Sequence, residues 1–346
     1  MENKNNAVQN SVSEIPNITL TVIFEGSALN RNEKIGGNIL SVKKINVNGQ
    51  EKTFISKPAI RHYLFTTLKR ANNWKEAGIF NEGDVLQFDV GNQDIVNCEE
   101  LDVFGYMNTT ARVTRKAPLG ITKAISLFPF EQDMAIYANH DLVKRGRMQG
   151  MDKVEPDPYN KEEHTSLYKI SFTIDTKILG LDKWIVDDFN KNNNEITIKY
   201  KKNNKDKALK FIKKGIQVED INGKKIITFQ ISPEQKLNRI NQILQAIKNG
   251  LIAHSSGESN TIVPLFMIAG AVKVPSPVFH SFIDVRKNDK GEFEVYGVKD
   301  ALKNGWLKND IFIEDSERLV YPGKSDNNEN LTTNWDTFLE SLNLTK

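Results

Sequence analysis

Strict alternation of apolar and polar positions opens the folded part of the chain. In NITLTVIF (17–24), Ile18, Leu20, Val22 and Phe24 fall on one face, the period-2 signature of a strand with one side on a core. The polar, glycine-containing stretch SALNRNEKIGGN (27–38) reads as a loop. ILSVKKIN and EKTFIS then read as two short strands flanking Asn48-Gly49, a dipeptide that supplies the positive φ angles of a type I′ hairpin turn. The period changes immediately afterwards: Ile60, Leu64 and Leu68 recur every four residues, as on the buried stripe of a helix. Ser56 is placed to cap that helix, and Pro58 fits its first turn, where a missing N–H costs nothing.

Further on, VLQFDV (85–90) and YKISFTID (168–175) read as strands. PEQKLNRINQILQAIKNG (233–250) reads as an amphipathic helix with Leu237, Ile240, Leu244 and Ile247 inward and Gly250 at its end. TIVPLFMIAGAV (261–272) reads as one apolar strand central to the sheet, although it contains Pro264. Residues 104–165, punctuated by glycine and proline, and the lysine- and asparagine-rich residues 190–225 read as excursions from the core. The order strand, hairpin, helix, strand predicts an α+β fold, an antiparallel sheet with helices on one face of the ferredoxin-like or RRM-like kind. The expected organisation is a disordered arm (1–15), a core with insertions (16–325) and an acidic C-terminal tail (326–346). No internal repeat is present, so repetition would have to come from oligomerisation.

The chain has 346 residues, 39% hydrophobic and 26% charged, ordinary values for a globular protein. No apolar run approaches the roughly 20 residues needed to span a bilayer. The polar start MENKNNAVQNSVSEIP lacks the apolar stretch of a signal peptide, so a cytoplasmic location is expected and no membrane partner. A single cysteine, Cys98, excludes an intramolecular disulfide and a thiolate zinc site. Five scattered histidines without an HExxH pattern argue against a bound metal, and no cofactor motif is present.

Charge changes the picture more than composition does. The formal net charge is only +3, but Arg31 to Lys75 carries ten Lys/Arg against two acids, Glu33 and Glu51. Glu76 to Phe104 carries eight acids and no base, and Lys191 to Lys214 nine lysines against two acids. Such blocks are either solvated faces or a groove for a polyanion on a molecule that also presents an acidic surface.

Three places are candidates for polyanion contact. A helix N-terminus presents backbone N–H groups and partial positive charge, which suit a phosphate. Lys57 and Arg61 lie one turn apart there, with the Ser56 hydroxyl; the hairpin brings Lys43, Lys44 and Lys52, and Arg31 lies in the preceding loop. The competing interpretation is a plain serine cap with two solvated cations. The second place is HSSGESN (254–260), a small-residue loop able to approach a sugar-phosphate backbone, or an ordinary loop. The third is the basic tract with Arg112, Arg115, Lys116, Lys144, Arg145 and Arg147, either an arm over a nucleic acid or a surface loop. For catalysis there is no GxSxG, Walker A or GxGxxG motif, and His62 and His254 lack identifiable partners. No RRM signature of stacking aromatics is present, which favours recognition of shape and phosphate over base stacking.

The run LTVIFEGSALNRNEKIGGN followed by FISKPAIRHYLF, from Leu20 through Phe65, resembles the DevR-type (type I-B-like) backbone subunits of type I CRISPR Cascade, the Cas-seven family of the RAMP superfamily. The marks are Asn30-Arg31 ahead of a glycine pair and a Ser-x-x-x-x-Arg helix start at Ser56 and Arg61. HSSGESNTIVP with FMIAGAV, VFGYM and RKAPLGITKAISL add to it, so that the resemblance spans most of residues 17–285. It implies a non-catalytic subunit with a modified RRM-like palm carrying finger and thumb insertions, the thumb within 104–165 or 190–225. Several copies would stack helically along the CRISPR RNA and present it for pairing with a target DNA strand, for antiviral defence, beside Cas-five, Cas-eight and small-subunit partners. The implied RNA contacts are Asn30, Arg31, Lys43, Lys44, Ser56, Lys57 and Arg61, with Ser255, Ser256, Gly257, Ser259 and Asn260. The rival within the superfamily is an endoribonuclease cutting bound target RNA through an acid such as Asp133, Asp141 or Asp152. A small-molecule enzyme, the third class, would need a convergent polar pocket that the sequence does not display.

Overall fold

A computed structural model describes residues 14–27, 30–31, 39–82, 85–202, 205–255, 258–308, 310–325 and 330–345. Residues 1–13 of the expected arm and most of the loop at 27–38 therefore lie outside the described residues, while Ile15, expected in the arm, packs against the core and its carbonyl accepts from the Thr176 hydroxyl.

One large sheet organises the molecule. From one edge its strands run Leu331–Thr332, Ile311–Asp315, Pro264–Val272, Asn17–Gly26, Ser166–Ile174, Ala124–Ser126, Gln50–Ile55 and Lys44–Val47, while Leu119–Ile121 also pairs with Ser166–Ile174. All pairings are antiparallel except the edge pair of Ile311–Asp315 with Leu331–Thr332. The opening strand lies at the centre, with Leu20 opposite Phe172 on one side and Ala269 on the other.

The alternation in that strand does what its period implies. Ile18, Leu20, Val22 and Phe24 join a core with Ile60, Leu64 and Leu68 of helix Lys57–Asn72 and Ile240, Ile243 and Leu244 of helix Pro233–Asn249. Ile23 points the other way, into a second core with Phe266, Ile268 and Phe279. That back face also buries polar groups: the hydroxyls of Thr21 and Ser171 meet at 2.6 Å, and Ser171 meets His280 Nδ1 at 2.8 Å.

The local signals are met closely. Asn48 and Gly49 have φ of 54° and 82°, and the hairpin register Val47 opposite Gln50 leaves a two-residue I′ turn. The first helix starts at Lys57 after Ser56 and stops at Asn73, whose left-handed φ of 55° an asparagine tolerates. The late helix begins in a full capping box, Ser232 with Gln235, and Pro233 occupies its first turn.

Two expected strands are divided. ILSVKKIN splits into Ile39–Leu40, which pairs in parallel with Asn160 and Lys161, and Lys44–Val47 of the hairpin. TIVPLFMIAGAV splits at Val263. Glu258–Ile262 forms a separate hairpin with Leu251–Ser255, and the sheet strand begins at Pro264, a first position where the absent N–H breaks no ladder bond.

The two excursions differ in character. Strands Leu181–Val186, Glu195–Lys202, Lys205–Ile212 and Lys224–Gln230 share a third core with Cys98, Leu101, Tyr106 and Val113, built around Trp184. Residues 133–163 form a hairpin, Asp133–Tyr137 with Tyr159–Glu163, that carries helix His140–Met148, none of whose residues is buried. At the chain's far end, helix Trp335–Ser341 packs Phe338 onto the first core, as do Leu342 and Leu344.

Candidate nucleic-acid interface

The first helix begins where four separate stretches of chain meet. Ser56 Oγ accepts the Ala59 N–H at 3.4 Å, and the Ser56 N–H is itself bound by the Asn30 carboxamide oxygen at 2.9 Å. Asn30 thus fixes the loop end onto the helix cap. Lys43 N–H donates to the Asn30 carbonyl at 3.1 Å, and its own carbonyl accepts from Phe54, so the loop end is laced onto the hairpin through its backbone. Lys57, the first helical residue, projects into solvent.

Other expected cations are engaged within the chain, Arg31, Lys44 and Arg61 with acids and Lys52 with a backbone carbonyl. Arg31 reaches Glu163 at 3.0 Å, the Glu162 carbonyl at 3.2 Å and Glu258 at 3.9 Å. Lys44 sits 3.0 Å from Glu162 and 3.8 Å from Glu51, with its ammonium 4.1 Å above the centre of the Phe130 ring. Arg61 pairs with the buried Glu100 at 2.7 Å and lies over Phe104. Lys52 donates to the Leu127 carbonyl at 2.8 Å.

The expected loop at 254–260 is the tip of a hairpin. His254, Ser259 and Asn260 occupy ladder positions, and Ser255 lies opposite Glu258; Ser256 and Gly257 fall outside the described residues. Ser259 Oγ bonds His254 Nε2 at 3.1 Å, which gives that histidine a partner the sequence did not reveal. The hairpin docks on the first helix through Thr67, whose hydroxyl accepts the Ile252 N–H at 2.9 Å. Ser27 donates to the Asn260 carboxamide oxygen at 2.5 Å, and Arg31 faces Glu258. The two candidate places, some two hundred residues apart in sequence, therefore form one contiguous surface.

A group missed by sequence reasoning completes it: Lys161, Glu162 and Glu163. Lys161 pairs with Glu258 and stands 3.6 Å from Glu163; burial lowers its pKa and the nearby Arg31 charge lowers it further. Tyr137 and Tyr159 stack beside it at 5.4 Å, and the Tyr137 hydroxyl donates to Glu163. In sequence, 161–163 is merely KEE. Its position follows from two non-local pairings, Met134 opposite Glu162 and Lys161 opposite Leu40.

The third candidate tract does not hold together. Arg115 is a core residue: it pairs with Asp102 at 2.5 Å and donates to the carbonyls of Ile178 and Leu181. Arg239 meets the other Asp102 oxygen at 2.6 Å. Lys144, Arg145 and Arg147 instead ride the exposed helix His140–Met148. Of the acids considered for cleavage, Asp141 pairs with Arg145 one turn on, while Asp133 and Asp152 are exposed elsewhere in the same excursion. Among the described residues no three His, Cys, Asp or Glu side chains gather as metal ligands, and no helix is long and apolar enough to cross a membrane.

Residues 18–292 match the family model described as CRISPR-associated negative auto-regulator DevR/Csa2. No curated protein matches the sequence. Among solved structures, the fold is similar to a chain of a CRISPR RNA-guided surveillance complex in its pre-nicking state, with a TM-score of 0.52 and 8% identity over 94% of this chain and 99% of that one. A second chain, from a CRISPR RNA-guided surveillance complex, gives a TM-score of 0.50 and 10% identity over 94% and 98%. The mixed α+β architecture, mostly strands with few helices, is thus shared with those structures, and the family match covers well over half of the sequence: the chain belongs to the DevR/Csa2 family of CRISPR-associated proteins.

Proposed function

We propose that this protein is the CRISPR RNA-binding backbone subunit of a type I Cascade interference complex, non-catalytic, with several copies following one guide. Family membership supports the class of function. The observation that carries the reading at residue level is the continuous surface where the Ser56 helix start, the Asn30-Arg31 loop end and the 251–262 hairpin meet. Asn30, Arg31, Lys43, Lys44, Ser56, Lys57 and Arg61 contribute from one side, and Ser255, Ser259 and Asn260, with Ser256 and Gly257 that lie between them in sequence, from the other. Contacts of this kind hold phosphate and ribose without reading bases, as required of a protein that must accept any guide sequence and leave specificity to pairing.

The palm is taken as RRM-like. The order Pro264–Val272, Asn17–Gly26, Ser166–Ile174, Ala124–Ser126 with helices Lys57–Asn72 and Pro233–Asn249 supports this, because it is the 4-1-3-2 order of a βαββαβ unit. The parts of 104–165 outside the sheet strands Leu119–Ile121 and Ala124–Ser126, together with 190–225, supply the finger and thumb, and the remaining Cascade subunits and the target DNA strand engage the assembled filament.

The test begins with Lys57→Glu, a reversal on an exposed residue. Purified from its host, the wild-type protein should carry RNA of uniform length bound to multiple copies, and the variant should lose RNA and multimer together while its monomer melts normally. Arg61→Glu is a poorer probe, since it would set a second acid against the buried Glu100. Multimers of Lys57→Glu that retain full RNA would remove the helix start from the interface.

A further inference from the structure

Two cations of this surface, Arg31 and Lys161, are already paired with acids of the chain. Arg31, only 14% exposed at its side chain, lies between Glu163 and Glu258, and Lys161, 10% exposed, touches the same two carboxylates. The two acids sit on different elements, Glu163 at the end of strand Tyr159–Glu163 and Glu258 beside the hairpin tip, and both remain partly open to solvent. Glu162 is different. It is buried, accepts the Val42 N–H at 3.0 Å and holds Lys44, so its role is architectural.

A carboxylate and a phosphate offer a guanidinium the same thing, a pair of anionic oxygens in a plane it can fork onto. Two cations crowded together need an anion between them, and burial lowers the Lys161 pKa with Arg31 adding to the effect. We infer that Glu163 and Glu258 are an internal anion standing where an RNA phosphate binds, displaced when the strand enters, and that this exchange sets a threshold against short or adventitious RNA. The inference rests on the RNA-binding reading above and assigns to it a regulatory pair of acids. Each phosphate that enters must first release a carboxylate, so a single contact gains little. A long guide spanning several copies adds a contact per copy and passes the threshold by multivalency.

The experiment uses the full chain and a fluorescent twelve-nucleotide oligouridylate, titrated by anisotropy at several KCl concentrations. Glu258→Gln should tighten binding about five- to tenfold at low salt, the scale of one charge-assisted pair, and should steepen the logarithmic salt dependence by about 0.7 for the released cation. Glu163→Gln should act in the same direction and serves as the second variant. Glu219→Gln, an exposed acid of the strand Gln217–Ile221, changes net charge equally and should leave binding within about twofold. In a background lacking both cations, Arg31→Ala with Lys161→Met, the Glu258→Gln gain should disappear. Equal tightening by Glu219→Gln, or a gain that survives loss of both Arg31 and Lys161, would overturn the exchange. Absence of binding by wild type and all variants even at low salt would instead sink the RNA-binding reading itself.

Discussion

Asn30 shows how one side chain can tie the fold to the proposed site. Its carboxamide oxygen takes the Ser56 N–H, one of the donors a helix start leaves over, and so ties the loop carrying Arg31 to the helix carrying Lys57. Replacing it by alanine leaves that donor without its side-chain acceptor. Asn30→Ala should cost about 1 kcal/mol in urea denaturation. RNA affinity should drop further than that loss of stability explains, because the loop end is no longer held against the cap. His280 is the residue-scale counterpart on the back face. Burial beside Lys169 pushes its pKa down to about 4 from 6.5, while Ser171 meets its Nδ1. A histidine with a depressed folded pKa binds fewer protons folded than unfolded, so its contribution is intact above about pH 6.5 and is lost progressively toward pH 4. His280→Gln, which does not titrate, should flatten the stability profile across that window when denaturation midpoints are compared.

At the scale of elements, the buried carboxylate Asp102 is the joint. It lies on helix Glu99–Phe104, fully buried, and meets Arg115 from the strand Val113–Arg115, Arg239 from the late helix and the Gly180 N–H. Removing Arg239 takes the donor from one buried Asp102 oxygen and from the Ile95 carbonyl. Arg239→Met should therefore destabilise by about 3–5 kcal/mol in a denaturant titration. Asp102→Asn should destabilise on a similar scale, because it leaves the buried guanidinium groups of Arg115 and Arg239 without their shared carboxylate. The same joint explains why the RKAPLG stretch, basic in sequence, contributes no arm through Arg115. A cation beside a glycine-rich stretch looks solvated until three non-local partners converge on it. The helix start behaves differently, because its determinants are local: a Ser cap, a proline in the first turn, and an apolar residue every fourth position.

For the whole molecule, the arrangement of charge matters more than its sum. A net charge of +3 predicts little attraction to RNA. The segments carrying Arg31, Lys43, Lys44, Lys57 and Lys161 are nonetheless joined to one another, through Asn30 to Ser56 and Lys43 and through Arg31 and Lys161 to Glu258. Binding dominated by such contacts weakens steeply with salt and is blind to base identity. Guides of unrelated sequence and equal length should bind the assembled protein with affinities that differ little, all falling in parallel as KCl rises.

Much of this could be read from the chain alone, and the reason is distance along it. The central strand, the Asn48-Gly49 turn, both long helices and the Ser56 cap depend on residues a few positions apart, where period and turn chemistry act directly. Arg31 and the helix start were visible as a candidate site for the same reason, whereas Asn30 entered through the family resemblance. Tertiary structure decided the partners. Sheet pairing of Lys161 with Leu40 places acids against Arg31 and Lys44, and the 251–262 hairpin swings onto the first helix. Ion pairs of that kind are set by register between segments over a hundred residues apart, and a one-residue slip would send every one of these side chains to the opposite face.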